Sequence, residues 1–274
     1  MSMENTAKGM TVLCVGATGS IGQLVVAEAL RQGHKVRALV RDAGKGRSLA
    51  KGAQAVVGDV TRPETLAAAV DGVDGIVLTL GSDGTKAGAE AVDYGGVRNV
   101  LRALDGRRAR IALMTAIGVT DREGAYNRRT EAHDWKRRSE RLVRASGLPY
   151  TIVRPGWFDY NERDQHRLVF LQGDERHAGD PSDGVVSRRQ IAEVLVHSLV
   201  SDAANGKTFE LVAEKGPAPA DLDALFAALD PDTAGALDGV RDEENMPLHR
   251  ESERVRRDLH DIQETSNHEQ GKVK

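Results

Sequence analysis

The sequence predicts an α/β fold, a doubly wound parallel sheet with a small C-terminal substrate lobe, and three observations predict it. First, the run Val12-Leu13-Cys14-Val15-Gly16-Ala17-Thr18-Gly19-Ser20-Ile21-Gly22 passes from apolar residues through glycines at three-residue intervals into an amphipathic stretch. That is a buried strand, a tight turn and the first turn of a helix. Second, short apolar runs alternate with helical segments as far as Gly156, the pattern of parallel strands joined by right-handed crossovers and covered on both faces. Third, the strand ends carry Gly, Thr or Pro, on the edge where doubly wound sheets bind ligands.

The elements follow in order. Gly16 suits a sharp turn, Gly19 a close approach of backbone to a phosphate, and Gly22 a helix packed tightly on its strand. The N–H groups at the helix start, with the positive end of the dipole, suit a pyrophosphate; a strand–helix turn with no ligand uses the same residues. Leu24, Val25, Ala29 and Leu30 give the first helix its apolar stripe, and Gly33 ends it. Val36–Val40 is the second strand, followed by Arg41, Asp42 and a loop with Lys45. Ala55–Val57 is the third, closed by Gly58 and Asp59. Thr61, Pro63 and Glu64 mark a capped helix start. Ile76–Leu80, then Gly81, is the fourth strand; a helix spans about Gly88–Ala103; Ile111–Met114 is the fifth strand and stops at Thr115. A basic helix over about Glu131–Ser146 ends at Gly147, and Tyr150–Val153 is the sixth strand, running into Arg154, Pro155 and Gly156. Beyond it come the aromatics Trp157, Phe158 and Tyr160, an irregular polar segment to Gly184, a helix over Gln190–Leu199 and a strand over Thr208–Val212. Ala220–Leu229 reads as a short helix, and Val255, Leu259 and Ile262 have the spacing of a helix docked on the body. The predicted organisation is a tail over 1–10, a main domain over 11–212 with cleft elements from 156–190, a helical extension over 213–263, and a frayed tail over 264–274.

Composition narrows the function. Only 4% of residues are aromatic and the formal net charge is −3, which argues against stacking platforms for single strands and against generic polyanion binding. The arginines between Arg128 and Arg144 alternate with Glu131, Asp134 and Glu140 and read as a solvated helix face rather than a nucleic-acid surface. The single cysteine, Cys14, sits mid-strand, so no disulfide forms within the chain and the thiol reads as a small buried apolar group. The eight histidines show no ligand spacing with carboxylates, so no metal is expected. No apolar run reaches the ~18 residues of a membrane span, and the polar N-terminus lacks a signal peptide's apolar region. A cytoplasmic protein, without membrane or nucleic-acid partners, is expected as monomer or homodimer.

Taken together, Val15–Gly22, Leu39-Val40-Arg41-Asp42, Gly58-Asp59-Val60, Met114-Thr115 and Ser146–Gly156 resemble an atypical short-chain dehydrogenase/reductase, nearest the NmrA-like and biliverdin reductase B-like branch. The resemblance covers roughly Thr11–Val212 and implies a Rossmann fold binding NADP(H), with NAD(H) also admitted. The residues agree at the second strand: an Arg there accommodates a 2′-phosphate, where an acidic residue favours the free ribose. Lys45 adds a second positive charge. Asp42 complicates this, since it can reach a ribose; two solvated loop cations are the alternative, and the NADP reading stands ahead of it.

By resemblance, Thr18, Ser20 and Ile21 join the three glycines around the pyrophosphate. Asp59 and Val60 border the adenine, and Leu80 and Gly81 lie against the ribose and pyrophosphate. Thr115 lies near the nicotinamide, Lys136 holds its ribose, and Pro155, Gly156, Trp157 and Phe158 flank it and the substrate cleft. The usual catalytic tyrosine stands four residues before the lysine; here that position is Ala132. Tyr126, in the preceding loop, is the substitute acid if one exists. His133 reads as a surface residue. A quinone or flavin can take a hydride and find its proton in water, so the expected function is an NADPH-dependent reductase of a small conjugated acceptor. The rivals are an NADP(H) sensor without turnover and, behind it, a sugar-nucleotide epimerase or dehydratase.

Overall fold

The computed structural model describes residues 9–270. The expected sheet is present. Strands β1 (Thr11–Val15), β2 (Lys35–Val40), β3 (Gln54–Val57), β4 (Gly75–Leu78), β5 (Arg110–Met114) and β6 (Tyr150–Pro155) lie in the order β3-β2-β1-β4-β5-β6, all parallel. This is the dinucleotide-binding order of the Rossmann fold, with its switch point between β1 and β4. A two-stranded parallel sheet, β7 (Trp157–Phe158) with β9 (Val185–Val186), sits beside it. The main sheet is extended by β10 (Lys207–Glu214), parallel to β6, and by β8 (Arg167–Leu171), antiparallel to β10 at the edge.

The strands bury alternate side chains on opposite faces, as a period of two requires. Val12, Cys14, Val77 and Ala112 enter one core with α1 (Gly22–Arg31) and α7 (Arg188–Ser198). Leu13, Ile76, Leu78, Ile111 and Leu113 enter the other. There they meet α2 (Ala67–Val70), α4 (Gly95–Leu104), α6 (Ala132–Ala145) and α9 (Glu253–Gln270). Each such Leu or Ile contributes about 2–3 kcal/mol by leaving water. Helix α4 continues a longer rod: α3 (Lys86–Gly88) leads into a π-helical turn, Ala89–Tyr94, and then into α4. Two short helices, α5 (Ala125–Thr130) before α6 and α8 (Leu222–Ala227) after β10, complete the set.

Three expectations change. The segment read as irregular up to Gly184 contains β8, whose Phe170 stacks on Phe209 at 4.3 Å. Thr61 caps no helix: its hydroxyl donates to Asp59, and the chain makes a 3₁₀ turn at Pro63–Thr65 before α2. Helix α9 runs to Gln270 through most of the stretch expected to fray from 264; 271–274 lie outside the described residues, as do 1–8 of the N-terminal tail. Met10, by contrast, is already tied to the sheet, its carbonyl accepting from Lys35 at 2.9 Å. Val255, Leu259 and Ile262 dock α9 as their spacing predicts, and Asp258 of α9 accepts from Tyr94, Arg98 and Arg102.

Helix α6 departs most from expectation. Its arginines are not solvated. Arg137 and Arg141 share the Asp238 carboxylate, at 3.0 Å from Arg137 Nε and 2.6 Å from Arg141 Nη2. Arg138 Nε donates to Glu251 at 2.8 Å, and Arg144 Nε to Asp232 at 3.0 Å. From β6, the fully buried Arg154 grips Glu140 and Asp242, each through bonds as short as 2.7 Å. Burial works against the charge on Arg154, but Glu140 and Asp242 outweigh it and raise its pKa. The helix is basic because it is the seam onto which the 230–251 segment is ion-paired. Helix propensity does not distinguish this from a wet face; the covering carboxylates do.

Candidate functional site

A cleft of about 670 Å³ opens at the switch point, within the size range of small-molecule sites. Its floor is the turn after β1. Gly16 adopts φ +86°, which favours glycine, and any Cβ there would stand 2.7 Å from the Thr79 carbonyl oxygen. A Cβ on Gly22 would lie 2.0 Å from the Gly16 oxygen, so only glycine lets α1 start this close to the strand. No side chain caps the first turn of α1 and no acidic residue stands in it, which leaves the positive end of the helix facing the cleft. At Gly81 an added Cβ would meet nothing within 4 Å. This hollow fits a diphosphate.

The cleft wall includes Gly16, Thr18, Gly19, Ser20, Ile21, Gly22, Arg41, Lys45, Asp59, Val60, Leu80, Gly81 and Phe158, all predicted from the sequence. Arg41 and Lys45 are exposed, and among the described residues neither has a carboxylate partner. Asp42, the complication at the second strand, is absent from the wall; its carboxylate is used by the loop, accepting from the Gly44 N–H at 2.6 Å. Asp59 is on the wall and also closes its own turn, accepting from the N–H and hydroxyl of Thr61 at 2.9 and 2.8 Å. Those bonds, led by the Thr61 N–H, outweigh the cost of burial and hold the carboxyl below the usual range.

The structure places the other predicted residues off this wall. Thr115 is 2% exposed, and its hydroxyl donates to buried Glu140 at 2.7 Å. Glu140 accepts from Arg154 and Arg144 as well; this carboxylate needs donors on all sides, and it draws Thr115 inward. Lys136 Nζ donates to buried Asp93 at 2.8 Å, and neither residue is on the wall. Asp93 lies in the π-helical turn, and its second carboxylate oxygen has no hydrogen-bond partner. Tyr126 is 46% exposed, with its ring 5.1 Å from that of His133. His133 is half-buried rather than on the surface, and burial lowers its pKa. Pro155 is buried in β6, and Gly156 packs against the Gly184 backbone. Trp157 is 37% exposed and meets Tyr160 edge-on. Ala132 is buried, so no phenol stands four residues before Lys136.

Sequence reasoning also missed Glu140, Asp93 and Arg188. Glu140 and Asp93 organise Thr115 and Lys136, and only the tertiary pairing reveals them. Arg188, at the start of α7, reaches Ser20 of the glycine turn with its Nε 3.1 Å from the hydroxyl. No local pattern announces it, since 168 positions separate the two residues. The C-terminal segment beyond Val212, expected as a substrate lobe, contributes nothing to the described cleft wall: α8 packs Phe226 against Phe170 and Phe209, and the chain from Asp232 onward pairs with α6 and α4.

Comparisons with known proteins converge on this fold. The family model for NAD(P)H-binding proteins matches residues 16–202. Sanguinarine reductase from Eschscholzia californica is 25% identical, covering 82% of this chain and 98% of the relative. An uncharacterised sugar epimerase, YhfK, from Bacillus subtilis is 32% identical, covering 76% and 96%. A solved structure described as a putative NAD-dependent epimerase/dehydratase from Bacillus halodurans superposes with a TM-score of 0.67 at 24% identity, covering 81% of this chain and all of that one. With the glycine turn, the bare helix start and the 3-2-1-4-5-6 strand order already in place, the chain belongs to the NAD(P)H-binding family of atypical short-chain dehydrogenase/reductase proteins.

Proposed function

We propose that this protein is an NADPH-dependent reductase that passes a hydride to a small conjugated acceptor such as a quinone or flavin. The observation that carries the reading is the cleft wall itself. It offers two exposed cations, Arg41 and Lys45, with no carboxylate partner among the described residues, while Met114, Val92 and Phe158 make part of it apolar; Asp83, also on the wall, has its carboxylate taken up by Thr85. When bound, NADPH supplies the hydride. The chain's part is to bind and orient. The glycine turn and the start of α1 receive the diphosphate. Arg41, as a planar fork, and Lys45, as a point charge, receive the 2′-phosphate. The Asp59–Val60 turn, fixed by Thr61, borders the adenine. A conjugated acceptor lying against Phe158 takes its proton from water, which removes the need for a phenol at position 132. A relative named as a reductase supports this reading.

A second reading, a nucleotide sensor without turnover, is favoured by one observation: the hydroxyl of Thr115 and the ammonium of Lys136 are both bonded to buried carboxylates. The epimerase reading is weakened by Ala132, since that chemistry wants the helix tyrosine. Stopped-flow absorbance of bound NADPH against a panel of quinones, flavins and carbonyls separates the readings. Oxidation by a quinone or flavin is expected; binding without consumption across the panel would establish the sensor.

A further inference from the structure

The guanidinium of Arg188 sits between two loops that belong to different parts of the chain. Its Nε donates to Ser20 Oγ at 3.1 Å, its Nη1 pairs with the Asp159 carboxylate, and its Cζ lies 5.4 Å over the Phe158 ring. The same Asp159 accepts from the Arg188 N–H at 3.0 Å. Asp159 holds φ +58°, a left-handed conformation that a non-glycine residue adopts at a cost. Ser20 and Phe158 both line the nucleotide cleft. One side chain, 33% exposed, therefore ties the diphosphate turn to the aromatic segment Trp157–Tyr160, which begins as β7.

We infer that Arg188 is a further diphosphate-binding residue, and that it couples occupation of the glycine turn to the position of the aromatic segment. The inference rests on the reading that the cleft takes a nicotinamide dinucleotide. Ser20 accepts from Arg188, which leaves its hydroxyl proton free to point to an anion. A guanidinium next to a helix start adds the mobile positive charge that backbone dipoles lack, and it binds phosphate oxygens in a planar fork. Asp159 competes for that guanidinium. A diphosphate at the turn shifts the balance away from Asp159 and, through the Arg188–Phe158 stack, moves the aromatic segment that carries Trp157. Arg188 is thus a positioning residue for the acceptor end as well as a ligand for the cofactor, and it is blind to the 2′-phosphate that Arg41 reads.

Calorimetry and tryptophan fluorescence test this with NADP⁺, NAD⁺ and adenosine 2′-monophosphate, which carries no diphosphate. Arg188→Ala is expected to weaken NADP⁺ and NAD⁺ by about the same factor, roughly tenfold, while leaving the monophosphate unchanged. Arg188→Lys is expected to fall between wild type and Arg188→Ala. Asp159→Asn, which frees the guanidinium, is expected to hold or improve NADP⁺ affinity. In wild type NADP⁺ should change the tryptophan signal, Trp157→Phe should remove that change, and Arg188→Ala should remove it even at saturation. Unaltered NADP⁺ affinity in Arg188→Ala and Arg188→Lys, or equal weakening of the monophosphate, would overturn the inference. So would a loss in Asp159→Asn that matches Arg188→Ala, which would make the contact a loop brace. If wild type binds none of the three ligands, the nucleotide reading itself is what fails.

Discussion

Arginine does opposite work in two regions of this molecule. At the end of β2, Arg41 is exposed beside Lys45 and has no carboxylate partner among the described residues. Along α6 and β6, Arg137, Arg141, Arg144 and Arg154 are buried, and each is neutralised by a carboxylate. The cleft keeps its charge available for a ligand; the seam consumes its charge in holding the 230–251 segment against the sheet. A buried ion pair gains little net stability over an apolar pair, but losing one partner leaves a stranded charge. Losing an anion at the seam therefore strands a buried charge, whereas the cations at the cleft stay exposed without one.

The comparison breaks most visibly at the seam. Asp238→Ala removes the carboxylate shared by Arg137 and Arg141 and should cost about 3–5 kcal/mol, read as a lower urea midpoint. A loss below about 1 kcal/mol would mean that the seam is as solvated as a surface pair. At the cleft, Arg41→Glu should leave stability unchanged and weaken NADPH by about 2–3 kcal/mol, roughly 30- to 150-fold, with NADH changed far less; calorimetry that finds equal losses defeats the 2′-phosphate assignment. The wild-type NADPH affinity should also fall with added salt, because the two cations are exposed.

A pH experiment sharpens the same contrast. Glu210, beside Arg154, is pushed up to about 8 by burial, against the pull of that arginine. A carboxyl raised in the folded state contributes its full stability below the unfolded value of 4.5 and loses it as pH climbs towards about 8. The slope is at most about 1.4 kcal/mol per pH unit. Glu210→Gln, which copies the neutral acid, should flatten the dependence of Tm on pH in that window; an unchanged slope would show that Glu210 is ionised throughout. The smallest effect is expected at Tyr126. Its ring is exposed against His133, so Tyr126→Phe should alter NADPH oxidation by an electron acceptor less than about threefold. A hundredfold loss would identify it as the proton donor.

Much of the cleft was legible because its residues lie within a few positions of a strand end. Gly16, Arg41, Asp59 and Gly81 follow β1, β2, β3 and β4, and a doubly wound sheet brings those ends together whatever the rest of the chain does. Thr115 also follows a strand, yet its side chain turns inward, because its direction is set by Glu140, a residue of another element. Arg188 reaches Ser20 only through the docking of α7 beside α1. The seam was misread for a related reason. Alternating arginine and glutamate on a helix says that charge is present but not what covers it, and the partner of Arg137 arrives 101 residues later.

The sequence by itself determined the parallel strands from β1 to β6 and the glycine turn, because apolar period and turn chemistry are local and each admits few solutions. Only the tertiary structure decided which cations remain free and which are spent. The fate of a charge depends on whether a distant carboxylate reaches it and excludes water, and neighbours in sequence carry no record of that.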